Sequence, residues 1–131
     1  MALRPTYAAL LGVAATAAVT FALPPVARLP LLAGLLWLTV GLYIGMALMD
    51  PDRRHLRTEV LGGVPVLGLA LASVWSPWLL ALGWLLHPLW DLLHEPGPLA
   101  TKIHPATVPF CIVYDVPVAA LAGWVAWTSG V

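Results

Sequence analysis

The sequence predicts an all-α, polytopic membrane helix bundle with about five transmembrane helices, forming a single domain over residues 1–131. Three observations carry this prediction. Hydrophobic residues make up 61% of the chain and charged residues only 9%, against roughly 25% charged in soluble domains. Mean hydropathy is +0.92. Apolar runs near the 17 to 25 residues needed to cross roughly 30 Å of hydrocarbon recur along the chain, each bounded by Pro, Gly or charge.

The first run covers about residues 6 to 23. Arg4 ahead of it gives a signal-peptide look, but the run reads as a retained first span. Its stripe Ala8, Gly12, Ala15 and Thr16 would let a neighbouring helix come close. The second run, about 31 to 49, follows a Pro-rich stretch and holds Gly41-Leu42-Tyr43-Ile44-Gly45, a GxxxG pattern suited to intrachain packing or to a homodimer. Residues 59 to 94 as one helix would be about 54 Å long, too long for one span. Ser76-Pro77 offers a turn, so the run divides into about 59 to 75 and 77 to 94. The fifth run is about 107 to 128.

Charge placement supports five spans. Arg4, Arg53, Arg54, Arg57 and Lys102 then fall on one side and Arg28 alone on the other. Excess Lys and Arg mark the cytoplasmic side, so the N-terminus is expected in the cytoplasm and the C-terminus outside. Trp75, Trp78, Trp124 and Trp127 would all sit at the outer boundary, where indoles prefer to lie. The expected location is the cell membrane, with the lipid bilayer as partner. Zero net charge and only one short basic run argue against nucleic acid. The single cysteine, Cys111, cannot form an internal disulfide.

Ionisable groups are expensive in lipid, costing about 2.5 to 3.5 kcal/mol for an Asp at a helix centre, so those present usually face the bundle interior and serve a function. They concentrate in His87-Pro88-Leu89-Trp90-Asp91-Leu92-Leu93-His94-Glu95. At 100° per residue, His87, Asp91 and His94 fall within a sector of about 60° on the fourth helix. Trp84 and Trp90 flank this stripe, and Glu95 sits where the helix must end before Pro96. On the fifth helix Cys111 and Asp115 share a face, with Tyr114 at its edge. The two helices are consecutive and antiparallel, so His87, Asp91, His94 and Asp115 are expected to converge in the cytoplasmic half. Tyr43, Met46 and Asp50 share a face of the second helix near that side, and Glu59 opens the third; any of them could line the cavity, with Tyr43 the leading candidate. His55, His104, Asp50 and Asp52 read as loop groups.

Three readings follow. Two imidazoles with one or two carboxylates suit zinc or iron, giving a divalent-metal site (His87, Asp91, His94, Asp115) and an enzyme on a lipid-like substrate. In a metal-free version of this enzyme, His87, Asp91 and Asp115 act as acid and base. A second reading is a proton- or cation-coupled carrier or channel subunit. The third is a structural polar network without catalysis. His-x3-Asp-x2-His is not a metalloprotease motif, and four histidines are too few for the histidine-box iron oxidases.

The segment Leu82-Gly83-Trp84-Leu85-Leu86-His87-Pro88-Leu89-Trp90-Asp91-Leu92-Leu93-His94, with Pro109-Phe110-Cys111-Ile112-Val113-Tyr114-Asp115, resembles an uncharacterised bacterial family of small integral membrane proteins. That family carries a His-x2-Trp-Asp-x2-His segment followed by Pro-x-Cys-x2-Tyr-Asp, and the likeness covers mainly the chain from about Val60 onward. The resemblance implies that His87, Trp90, Asp91, His94, Cys111, Tyr114 and Asp115 form one set. It implies no reaction.

Overall fold

Proline opens the first two helices. Pro5 and Pro25 take the first helical position, where the missing N–H would have had no intrahelical acceptor in any case. The computed structural model describes residues 4–51, 53, 55–93 and 105–130. Within them lie α1 (Pro5–Ala22), α2 (Pro25–Met49), α3 (Leu56–Ala72), α4 (Trp78–Leu92) and α5 (Thr107–Thr128), with no strand among the described residues. By length and apolar character, α1, α2 and α5 could each cross a membrane. The remaining two are shorter, α3 with 17 residues and α4 with 15.

Two boundaries differ from those expected. The second helix begins at Pro25, so Pro30 and Arg28 lie inside it. Pro30 stands just past the first turn, and its absent N–H costs only the bond to the Val26 carbonyl. At its other end, α4 stops at Leu92. His94, Glu95 and His104 lie outside the described residues.

The helices pack in a ring, α1 on α5, α5 on α4, α4 on α3 and α3 on α2, while α2 touches all four others. Its residues Leu32, Leu36 and Val40 form one buried stripe against Val66, Ala70, Leu80, Trp84 and Val118. Missing side chains make this contact possible. A Cβ on Gly63 would stand 2.6 Å from Val40 Cγ1, one on Gly83 2.9 Å from Leu36 Cδ2, and one on Gly62 would collide with the Trp90 indole.

The two small-residue stripes have different roles. Gly12 faces the Tyr114 ring and Thr16 Oγ1 lies 2.8 Å from the Tyr114 hydroxyl, so the α1 stripe seats α1 on α5. A Cβ on Gly41 or Gly45 would meet nothing within 4 Å among the described residues, so the GxxxG pattern seats no close helix contact there. The physical reason is register: Val40 and Tyr43 turn inward, leaving both glycines on the outward face of α2.

Aromatic residues gather at one end of the bundle. Phe21 meets Trp124 edge to face, with centroids 4.9 Å apart, and the Arg28 guanidinium lies 5.6 Å from the Trp124 ring. Trp75, Trp78 and Trp127 are exposed at this same end. The large hydrophobic side chains at other outward positions are mostly Leu and Val, a surface suited to acyl chains.

Gly62→Ala is expected to destabilise the protein by about 1 to 3 kcal/mol, because the rigid Trp90 indole must move. Gly41→Ala, facing open space, is expected to be neutral or stabilising by up to about 1 kcal/mol. Thermal unfolding of both variants in detergent checks the contrast; equal losses would show that the α3–α4 approach is not constrained.

Candidate functional site

Four helices bring polar groups to one level of the bundle. His87 is five residues from the C-terminal end of α4, Asp115 eight residues into α5, Tyr43 six residues from the end of α2, and Glu59 three residues into α3. At 1.5 Å per residue these depths range from about 4 to 12 Å inside the same end. His87, Asp91, Asp115 and Glu59 are each at most 1% exposed. This end is the one opposite the Trp124 cluster, because α2 and α4 run toward it and α3 and α5 run from it.

The centre of the cluster is an imidazole between two carboxylates. His87 Nδ1 lies 2.8 Å from Asp115 Oδ2, a short charge-assisted hydrogen-bond distance, and 3.6 Å from Asp91 Oδ2. Asp91 stands one helical turn beyond His87 on α4, so the pair is set by i,i+4 spacing, while Asp115 arrives from α5. Asp115 Oδ1 has no hydrogen-bond partner among the described residues. Within the cluster, one imidazolium faces two carboxylates, and burial in a low-dielectric interior makes uncompensated charge costly. A proton or a cation is needed for balance.

Around this centre, Tyr43 places its ring edge to face on His87 at 5.6 Å, and its hydroxyl lies 3.7 Å from Cys111 Sγ. Both Tyr43 and Cys111 also interact with Asp91. Cys111 is one turn before Asp115 on the same face of α5 and is buried. A small cavity of about 10 Å³ adjoins His87, lined also by Tyr43, Glu59, Gly62, Gly63 and Trp90. That is room for about one water molecule.

Prolines adjoin both sides of the cluster, Pro88 in α4 and Pro117 in α5. Each lacks the N–H that would bond the carbonyl four residues earlier, that of Trp84 and of Val113. In lipid such carbonyls persist only where protein or water satisfies them.

The structure brings together His87, Asp91, Asp115, Cys111 and Tyr43 from the set expected to form the site. Trp84 and Tyr114 turn their polar atoms away from the cluster. The Trp84 indole N–H donates to the Leu32 carbonyl at 3.2 Å, and the Tyr114 hydroxyl pairs with Thr16, so both polar atoms serve helix packing rather than the cluster. Their rings meet edge to face at 5.8 Å. Trp90 is half-buried over Gly62 and lines the cavity. The expected ligand His94 and lining residue Glu95 lie outside the described residues. Glu59 is the site residue underweighted by sequence reasoning. Its position in the first turn of α3 suggests a solvated helix start, and only the Gly62-Gly63 pair that follows signals that this turn is pressed against its neighbours.

His87, Asp91 and Asp115 each offer a ligand atom within 4.8 Å of the others. Neighbouring ligands around a tetrahedral zinc ion, with bonds of about 2.0 to 2.1 Å, stand about 3.3 Å apart. The two observed separations from Nδ1, 2.8 and 3.6 Å, bracket that value. The group could therefore hold a divalent ion.

A double-mutant cycle on His87→Gln and Asp115→Asn, measured by unfolding in detergent, is expected to give a coupling of about 0.5 to 3 kcal/mol. Additive effects would mean that the contact does not contribute to the fold. Comparison of the chain with protein-family models, characterised proteins and solved structures gives no match, so its functional reading rests on the geometry of this cluster.

Proposed function

We propose that this chain is a multi-pass protein of the cell membrane whose working centre is a divalent-metal site formed by His87, Asp91 and Asp115. The observation that carries the reading is the convergence of three buried ligand atoms within 4.8 Å of one another, the two aspartates lying 2.8 and 3.6 Å from His87 Nδ1. Charge supports it: a dication with two carboxylates and a neutral imidazole sums to zero, the cheapest state in a low-dielectric bundle. Imidazole and carboxylate together suit zinc or iron.

In this reading α3 and α4 cross the bilayer beside α1, α2 and α5, which makes five spans. The N-terminus is cytoplasmic and the site lies in the cytoplasmic half. Among the described residues the three ligands leave a coordination position, the pattern of metal centres that act on a substrate. A cation there supplies Lewis-acid polarisation of a substrate oxygen. The substrate class is lipid-like. An apolar groove of about 530 Å³ runs between α4 and α5, lined by Leu85, Val116, Ala119 and Gly123, and fits an acyl or isoprenoid chain. Val116 adjoins Asp115 in the sequence.

One observation favours a second reading. The 2.8 Å separation of Nδ1 and Oδ2 is a hydrogen-bond length, and a proton shared by His87 and the two aspartates would also balance the cluster. Elemental analysis of detergent-purified protein carrying no metal-binding tag separates the two. Near-stoichiometric zinc or iron is expected in the wild type, falling to background in His87→Ala and Asp91→Asn. Tyr114→Phe, which loses only the Thr16 contact, is expected to keep its metal while losing about 1 kcal/mol of stability. Absence of metal from the wild type, even after reconstitution, would sink the metal reading and leave the proton reading. For topology, a reporter fused after Val131 is expected to be active outside the cell; cytoplasmic activity would contradict five spans.

A further inference from the structure

At the end of the bundle opposite the His87 cluster, Arg28 of α2 lays its guanidinium over the Trp124 ring of α5, 5.6 Å from the centroid, and Phe21 of α1 meets the same ring edge to face at 4.9 Å. The Arg28 Nε–H donates to the Leu23 carbonyl at 3.1 Å, in the turn between α1 and α2. We infer that Arg28, held in this way, binds a phosphate oxyanion, supplied by the phosphodiester headgroup of a membrane lipid. The inference rests on the membrane reading above and is independent of the metal.

Among the described residues the acidic side chains are Asp50, Glu59, Asp91 and Asp115, all toward the opposite end, so none of them balances Arg28. Its own helix does not either. Arg28 sits in the first turn of α2, at the positive end of the helix dipole, where a cation is disfavoured. Leu23 takes the Nε–H and Trp124 takes one face of the guanidinium plane, while neither Nη group has an acceptor among the described residues. Those donors form a rigid planar fork that matches two oxygens of a phosphate. The carbonyl and the ring also fix a long side chain in advance, which lowers the entropy lost when an anion binds. Depth suits a lipid headgroup: α2 has 25 residues and is about 37 Å long, more than the roughly 30 Å of hydrocarbon, so Arg28, three residues from its start, stands at the boundary where a long side chain reaches lipid phosphates. Phe21 and Trp124 are 55% and 38% exposed, which leaves apolar surface beside the guanidinium for the glycerol and upper acyl region of the same lipid. A free phosphate has no use for that surface.

The test uses the full-length protein in detergent with fluorotryptophan incorporated, the Trp124 fluorine NMR signal being identified by its loss in Trp124→Phe. Short-chain phosphatidylglycerol is titrated in, and the Trp124 signal is expected to move and saturate. In Arg28→Gln the midpoint is expected to rise about 10- to 100-fold. Arg28→Lys, which keeps the charge without the fork, is expected to fall between; if the Gln variant does not fold, the Lys variant is compared with wild type directly. No movement in the wild type, or an equal midpoint in the variant, would overturn the inference. A diacylglycerol of the same chain length that moves the signal at equal concentration would assign this face to acyl chains alone, and inorganic phosphate that does so would assign it to a free anion; either result overturns the headgroup assignment. Recovery of the chain in the soluble fraction without detergent would refute the membrane reading and this inference with it, whereas a wild type without zinc refutes only the metal reading and leaves the titration to decide.

Discussion

The constraint on which the structure turns is the burial of two carboxylates around one imidazole between α4 and α5. Asp91 and Asp115 cannot both stay ionised beside His87 in a low-dielectric interior unless something positive joins them. The same feature that makes the cluster costly would be relieved by a proton or a cation. Polar networks of this kind return little as helix glue, below about 1 kcal/mol per bond in membranes. Their presence in a chain that is only 9% charged therefore points to use rather than to support.

The scaffold meets this constraint by keeping the remaining polar atoms away from the centre. Trp84 and Tyr114 each carry a polar handle, and each is satisfied elsewhere, on the Leu32 carbonyl and on Thr16. Their rings form apolar walls. Meanwhile Gly62, Gly63 and Gly83 let α3 and α4 close on one another and on α2, which brings Tyr43 and Glu59 within reach of His87. Pro88 and Pro117, one and two residues from His87 and Asp115, interrupt the helical ladders beside the site. Close packing on one side of the cluster and broken backbone bonding next to it leave a small cavity beside the polar cluster in an otherwise apolar bundle.

Much of this was legible in the residue pattern, for identifiable reasons. Apolar run length marks candidate helices, and five are found among the described residues, with ends near the expected positions except at the start of α2. Helical periodicity placed His87 with Asp91, and Cys111 with Asp115, on single faces, because i,i+4 spacing is a local property of one helix. The meeting of those faces followed from the antiparallel sequence of α4 and α5. The α2 boundary was less legible, since a proline such as Pro30 ends a helix or sits near its start according to context that a local pattern does not hold. The GxxxG stripe misled for a related reason: small residues permit close approach on whichever face they occupy, but do not say that a partner is there.

The sequence by itself determined the helical class, the apolar exterior and the pair of polar faces, because hydropathy and periodicity are written in consecutive residues. Only the tertiary structure decided that Tyr43 and Glu59, from two other helices, join His87, and that Trp84 and Tyr114 do not offer their polar atoms to the site. Those outcomes depend on rotation and depth of each helix against its neighbours. Rotation and depth are set by shape, by where Val40 fits against Gly63 and Trp90 over Gly62, and shape complementarity between distant segments leaves no trace in the local pattern of either.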